Sequence, residues 1–266
     1  MVEKEMKKSV ASFDNTTIVY EIQRKENKSW ILFLHGAWSN KSVWRRWIPF
    51  FENYSWIALD YRSRGESDDG KITIENCSRD IEKILNVERI NKINLIGNSY
   101  GSIVAYDFFC NNSNRVRSMV LFSIFAKPYV RYKFLLSLFS SFFSFLGIFF
   151  YKKRKKYVDY TSLQQVSTAF IWYYDLKGIT LKTLSQALNN LLQYRVDLKK
   201  IEVPTLILEG SFDPFIRGKR IKKDAPPSAK FENLEGQHRL MFREPEATIQ
   251  RVRKFIDDQH NYPRIE

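Results

Sequence analysis

The stretch Ile93-Asn94-Leu95-Ile96-Gly97-Asn98-Ser99-Tyr100-Gly101 runs from residues of strand character directly into Ser102–Cys110, which has helical character. So short a connection between strand and helix strains the backbone at its apex, and small neighbours give that apex room. Here the apex is Ser99, with Gly97 and Gly101 two positions to either side. The turn pushes the hydroxyl clear of the sheet, beside the positive N-terminal end of the following helix. Ser99 is therefore the candidate nucleophile, and strand–turn–helix is the unit from which the rest of the chain is read.

Outward from that unit the same alternation continues. Thr17–Ile22, Trp30–Leu34, Trp56–Leu59 and Val116–Phe122 read as strands, the second ending at His35-Gly36 and the third at Asp60. Ile74, Cys77, Ile81, Ile84 and Leu85 fall at helical spacing. From Ala126 to about Val196 the pattern lapses into aromatic-rich helical segments. It resumes with a strand at Pro204–Glu209, a helix at Ile216–Lys223, a strand at Lys230–Leu234 and a helix at Ala247–Asp257. Strands joined by crossover helices predict an α/β fold with a mostly parallel, doubly wound sheet. The expected core is 1–126 with 197–266, and 127–196 is a helical insertion.

Composition narrows the class. The chain has 266 residues, 44% of them hydrophobic, which excludes wholesale disorder. Ten glycines and eight prolines exclude collagen-like and low-complexity readings. Two cysteines, Cys77 and Cys110, make no disulfide framework and no CxxC pair, so a reducing compartment and no structural zinc are expected. The first fifteen residues are charged and lack the apolar core of a secretory signal. A cytoplasmic protein follows, with peripheral attachment to a membrane left open.

A serine nucleophile needs a base, and the chain offers three histidines. His35 sits before Gly36 at a strand end, where an imidazole braces a loop. His260 lies in a polar tail. His238 follows the last strand on a loop before the closing helix, at the strand-end rim where a mobile imidazole is wanted. The base in turn needs an acid to fix its tautomer. Asp213, just past the strand that carries Glu209, is the favoured partner, with a plain turn-forming role before Pro214 as the alternative. Charge developing on an attacked carbonyl requires N–H donors. The Tyr100 amide, directly after Ser99, is one. The Ala37 amide, on the loop after Trp30–Leu34, is the second, with Trp38 the weaker choice.

These residues together resemble the α/β-hydrolase fold proteins of the esterase and lipase type. The resemblance rests on five motifs in order: His35-Gly36, Asp60-Tyr61-Arg62-Ser63-Arg64-Gly65-Glu66-Ser67, the Gly97–Gly101 elbow, Gly210-Ser211-Phe212-Asp213, and Gly236-Gln237-His238 through Glu246. The second departs from the family's usual pattern, with Ser63 where a glycine is expected, and Gln237 precedes the histidine where glycine is commoner. The family implies the order Ser99, Asp213, His238, no metal or organic cofactor, and a helical cap over the site formed by 127–196. It also contains epoxide hydrolases and haloalkane dehalogenases, whose elbow carries aspartate; Ser99 argues against both. Serine chemistry implies an acyl-enzyme, hence cleavage of carboxylic esters. Transfer of the acyl group to another acceptor, or a non-catalytic relative that binds an apolar ligand, are the alternatives.

The insertion bears on the substrate. Phe134–Tyr151 holds seven of the 21 phenylalanines, and Ser137, Ser140, Ser141 and Ser144 fall on one helix face opposite a Phe/Leu face. Phe134, Phe142 and Trp172, with Trp38, are expected to line an apolar substrate pocket. Between Lys127 and Tyr160 stand eight basic residues and one acid, so half of the net charge of +14 lies in that interval. No nucleic-acid-binding motif accompanies the charge. A membrane-spanning helix would split one sheet across a bilayer. Two readings stay open for the segment from Phe134 to Lys156: a buried cap helix, or an interfacial helix with its serine face on the body, its Phe/Leu face in lipid and Lys152–Lys156 on anionic headgroups.

Overall fold

The structure, a computed structural model, describes residues 5–149, 158–161, 168–238, 240–242 and 245–261; the side chains of 168–172, 242, 245 and 260–261 lie outside that description. Trp172, the Lys152–Lys156 run and the His260 side chain therefore fall outside it.

Eight strands form one sheet: β1 (Met6–Ala11), β2 (Thr17–Gln23), β3 (Trp30–Leu34), β4 (Ser55–Leu59), β5 (Ile93–Asn98), β6 (Val116–Phe122), β7 (Thr205–Gly210) and β8 (Ala229–Leu234). Their order is β1-β2-β4-β3-β5-β6-β7-β8. β1 and β2 pair antiparallel, as do β2 and β4; all later pairings are parallel. β1 had no signature in the sequence. It is an edge strand with alternating exposed and half-buried positions, and its lysines suit an edge that must not recruit another strand.

The central strands are buried on both faces, which is why they read as continuous apolar runs rather than alternating ones. Their side chains still divide by parity. Leu32, Leu34, Leu95, Met119, Leu121 and Ile207 enter one core. Ile31, Phe33, Ile96, Val120, Leu206 and Leu208 enter the other. The first core is covered by α1 (Ile74–Val87) and α2 (Tyr100–Asn111), which pack against each other. The second is covered by Trp44, Trp47 and Phe51 and by α7 (Pro245–Asn261), through Ile249, Val252 and Ile256. α1 begins where the Thr73 hydroxyl accepts from the Asn76 N–H, an N-cap that fixes its start.

Between β6 and β7 the described chain carries three helices, α3 (Lys133–Phe149), α4 (Thr168–Lys177) and α5 (Leu181–Gln193). α5 opens with a capping box between Thr180 and Thr183 and buries Leu184, Leu188, Leu191 and Leu192. α3 lies on α5. Its inward stripe is Leu136, Ser140, Phe143 and Gly147, and Ser140 alone is fully buried, with its hydroxyl 3.1 Å from the Ser185 carbonyl. The expected serine face is thus corrected. Ser137, Ser141 and Ser144 are exposed, because close approach to α5 selects two small residues two turns apart, Ser140 and Gly147, and not a polar face. After β7 comes α6 (Gly218–Asp224), two residues later than the sequence suggested. No described helix is long and apolar enough to cross a membrane.

Candidate active site

Ser99, Asp213, His238 and Ala37 each follow the C-terminal end of a parallel strand, the edge at which open α/β sheets place their sites. Ser99 follows β5 with φ +53° and ψ −106°, a conformation that non-glycine residues rarely adopt and that only a rigid surround sustains. Its neighbours explain how the turn closes. A Cβ on Gly97 would stand 2.5 Å from the Gly101 carbonyl oxygen, and one on Gly101 would stand 2.2 Å from that of Leu34. Both positions must be glycine for α2 to start this close to β3 and β5.

The Ser99 Oγ lies 2.9 Å from His238 Nε2, across 139 positions of chain. His238 Nδ1 lies 2.7 Å from Asp213 Oδ2. A carboxylate oxygen accepts, so Nδ1 carries the proton, and Nε2 is left to accept from the serine hydroxyl. Asp213 also accepts at Oδ1 from the Phe215 N–H at 2.8 Å, which holds its carboxylate plane. The edges of Phe125 and Phe215 meet the His238 ring at centroid distances of 5.5 and 6.3 Å. The three side chains form one hydrogen-bonded line with its serine end open to a cavity.

That cavity has a volume of about 350 Å³. Ser99, His238, Ala37 and Trp38 border it. Its apolar wall comes from Phe125, Leu136, Leu188, Leu191 and Phe215. Two expected pocket residues are corrected: Phe134 and Phe142 are 78% and 57% exposed and point away from it. The α3 residue that reaches the cavity is Leu136, on the opposite face of the helix.

His35 occupies the bracing position its place suggested. It is fully buried, its Nδ1–H donates to the Gly36 carbonyl at 2.7 Å, and its Nε2 accepts from the Tyr61 N–H at 3.3 Å. Burial lowers its pKa to about 3, so the ring is neutral and serves only to join the two loops.

In the Asp60–Ser67 loop, Ser63 stands where the first glycine of the family's pattern is expected. Ser63 adopts φ +59° although it has a side chain. Its hydroxyl donates to the Gly70 carbonyl at 2.9 Å and accepts from the Gly70 N–H at 3.0 Å, and these two bonds hold the turn. Beneath the loop, the buried Lys41 ammonium meets Asp60 and Glu66, each at 2.7 Å.

The sequence does not single out Arg64, Ser123 or Glu209 as site residues. Arg64 is fully buried and its guanidinium donates to the carbonyls of Ala37, Ser63 and Thr183, tying the Ala37 loop to α5. Ser123, at the end of β6, donates to the His238 carbonyl. Glu209 lies buried under the Asp213 loop and accepts from the Ile124 N–H. Ser123 and Glu209 each leave a local trace, as polar residues directly after an apolar run, and Arg64 lies within the Asp60–Ser67 motif. Among the described residues, no group of three or more His, Cys, Asp or Glu side chains could hold a metal ion.

With sheet order, elbow and strand-end loops in place, the comparison with known proteins is direct. A profile of the alpha/beta hydrolase family matches residues 31–251. The chain belongs to the alpha/beta hydrolase family. Epoxide hydrolase 3 of Xenopus tropicalis is similar to this alpha/beta hydrolase at 25% identity over 218 residues, which is 70% of the chain and 59% of that relative's length. The structure of a hydrolase from Pseudomonas aeruginosa superposes with a TM-score of 0.77 at 17% identity, covering 94% of this chain and 98% of that one. An esterase from Exiguobacterium antarcticum superposes with a TM-score of 0.75 at 19% identity, covering 95% and 100%. Likeness at these identities shows the fold; the chemistry has to be argued from the site.

Proposed function

We propose that this alpha/beta hydrolase is a serine hydrolase that cleaves carboxylic esters with apolar, lipid-like acyl groups through an acyl-enzyme on Ser99. The observation that carries the reading is the line from Ser99 Oγ through His238 to Asp213, opening into an apolar cavity. The neighbours include both an esterase and an epoxide hydrolase. The elbow residue discriminates between them, because alkyl-enzyme chemistry on an epoxide uses a carboxylate there and this chain presents a hydroxyl.

In the proposed reaction the Ser99 Oγ attacks the ester carbonyl carbon while its proton passes to His238 Nε2. Asp213, bonded to the opposite nitrogen, stabilises the imidazolium. The carbonyl oxygen, now negative, is held by the Ala37 and Tyr100 N–H groups. Collapse of the tetrahedral adduct expels the alcohol, which takes the proton from Nε2. Water, deprotonated by the same nitrogen, then attacks the acyl-enzyme, releases the carboxylic acid and returns the proton to Ser99. The cavity wall from α3 and α5 favours an acyl chain over a charged peptide, since burying an unpaired charge against it is costly.

The test is a p-nitrophenyl ester series of increasing acyl length with wild type and Ser99→Ala. Turnover that rises with chain length up to the cavity's capacity, and that falls by several orders of magnitude in the variant, supports the reading. Labelling of Ser99 by a fluorophosphonate separates it from a binding-only protein, which would not label. Equal rates in wild type and variant would sink it.

A further inference from the structure

α3 presents to solvent what a soluble surface seldom shows. Phe134, Leu135, Leu138, Phe139, Phe142, Phe145, Ile148 and Phe149 are each half or more exposed, in one continuous arc of the helix. The opposite side of the same helix contacts α5 and sends Leu136 into the catalytic cavity. α3 is thus a two-faced wall, with the cavity on one side and an uncovered phenylalanine surface on the other.

At the foot of that surface lies a second cavity, of about 330 Å³, bordered by Lys127, Lys133, Arg195 and Arg217 with Pro128 and Val130. The four cations come from three chain segments that are hydrogen-bonded backbone to backbone. Lys127 N–H donates to the Tyr194 carbonyl at 3.1 Å and Val196 N–H to the Lys127 carbonyl at 2.8 Å. Arg131 N–H donates to the Phe215 carbonyl at 2.7 Å and Arg217 N–H to the Tyr129 carbonyl at 2.8 Å. Among the described residues none of the four cations has an ion-pair partner. Lys127 and Lys133 stand so close that their contact lowers the Lys133 pKa, a like-charge pair that an anion would relieve. Lys133 is also the first residue of α3, so the cation cluster and the apolar arc are contiguous.

We propose that the outer face of α3 and the Lys127–Lys133–Arg195–Arg217 cavity form one docking surface for an anionic phospholipid bilayer, with phenylalanines in the acyl boundary and a headgroup phosphate in the cavity. Charge chooses this occupant over a second copy of the chain. An identical partner would bring the same cations and the same net charge of +14 against this face. Apolar side chains edged by unpaired cations match the interface of an anionic membrane. Docking through this face does not require the hydrolytic reading. Joined to the hydrolytic reading, it leaves α3 as the wall between the Ser99 cavity and the layer that holds an apolar ester.

The test is cosedimentation of the full chain with phosphatidylglycerol vesicles and with phosphatidylcholine vesicles, at low and high salt. Wild type is expected to pellet with the anionic vesicles, far less with the zwitterionic ones, and less as salt rises. Lys127→Gln with Lys133→Gln should weaken partitioning on the order of tenfold. Phe139→Ser with Phe142→Ser should abolish it and leave hydrolysis of a soluble short-chain ester unchanged. Should the phenylalanine variant not fold, the lysine pair still decides the matter. Ser99→Ala should pellet like wild type, so loss of hydrolysis and loss of docking are read separately. Equal pelleting with both vesicle types, no pelleting with either, or a dimer in analytical ultracentrifugation that the phenylalanine variant dissolves would overturn the proposal.

Discussion

The Ser123 hydroxyl donates to the main-chain carbonyl of His238 at 2.9 Å, joining the end of β6 to the loop that carries the proposed base. Ser123 itself holds φ +51°, a left-handed conformation that glycine adopts at less cost. The bond and the strain can therefore be separated. Ser123→Gly relieves the backbone but cannot hold His238. It is expected to unfold no earlier than wild type and yet to turn over roughly ten- to a hundredfold more slowly, because small misplacement of a base is expensive. Thermal unfolding and steady-state kinetics on one preparation check both halves.

Arg64 acts on the loop that carries Ala37. It holds the Ala37 carbonyl, and the orientation of that loop sets where the Ala37 N–H points. Arg64→Lys keeps the charge but loses the planar fork that reaches Ala37, Ser63 and Thr183 together. If Ala37 serves the transition state, kcat should drop on the order of a hundredfold with KM little changed. A rise in KM alone, with kcat intact, would assign Arg64 to cavity shape instead.

The contrast between Ser99 and Arg64 explains what the chain disclosed in advance. The elbow is local: strand, apex and glycines lie within nine residues, and sterics leave them one solution. The central strands were equally legible, since burial on both faces writes itself as an apolar run. Arg64 was opaque because its three acceptors come from residues 37, 63 and 183, which only the folded chain assembles. Phe134 and Phe142 were misplaced for a related reason. Helical periodicity shows that two faces differ, but which face turns inward was decided by the fit of Ser140 and Gly147 against α5. β1 escaped notice because an edge strand has no apolar run to show.

His35 gives the acid side of the stability profile. Its folded pKa of about 3 lies below the ordinary 6.5, so the unfolded chain binds a proton first as pH falls. The stability held by the neutral ring is full above about pH 6.5 and is lost progressively as pH drops toward about 3. His35→Gln should lower the urea midpoint near neutral pH, where two hydrogen bonds are disturbed, and should flatten the acid decline. A variant whose midpoint falls with acid as steeply as wild type would show that other groups govern that limb.

Glu209 supplies the opposite sign. Burial first, and then the nearby negative charge of Asp213, push its carboxyl well above the usual carboxylate range, despite the Ile124 N–H donated to Oε1 at 2.8 Å. Its Oε2 is buried with no partner among the described residues, as suits a protonated acid. The folded chain thus keeps this proton to a higher pH than the unfolded chain does. The associated stability is present below the ordinary glutamate pKa of about 4.5 and drains away as pH climbs through the folded value. Glu209→Gln preserves the shape and cannot ionise. Near neutral pH it should melt at or above the wild-type temperature, and its Tm should decline less as pH rises above about 5. Ester turnover should stay within a few-fold of wild type, since glutamine keeps the shape under Asp213 and an oxygen for the Ile124 N–H. A marked loss of stability near neutral pH would mean that the carboxylate is ionised and solvated there, and would reverse the sign of the argument.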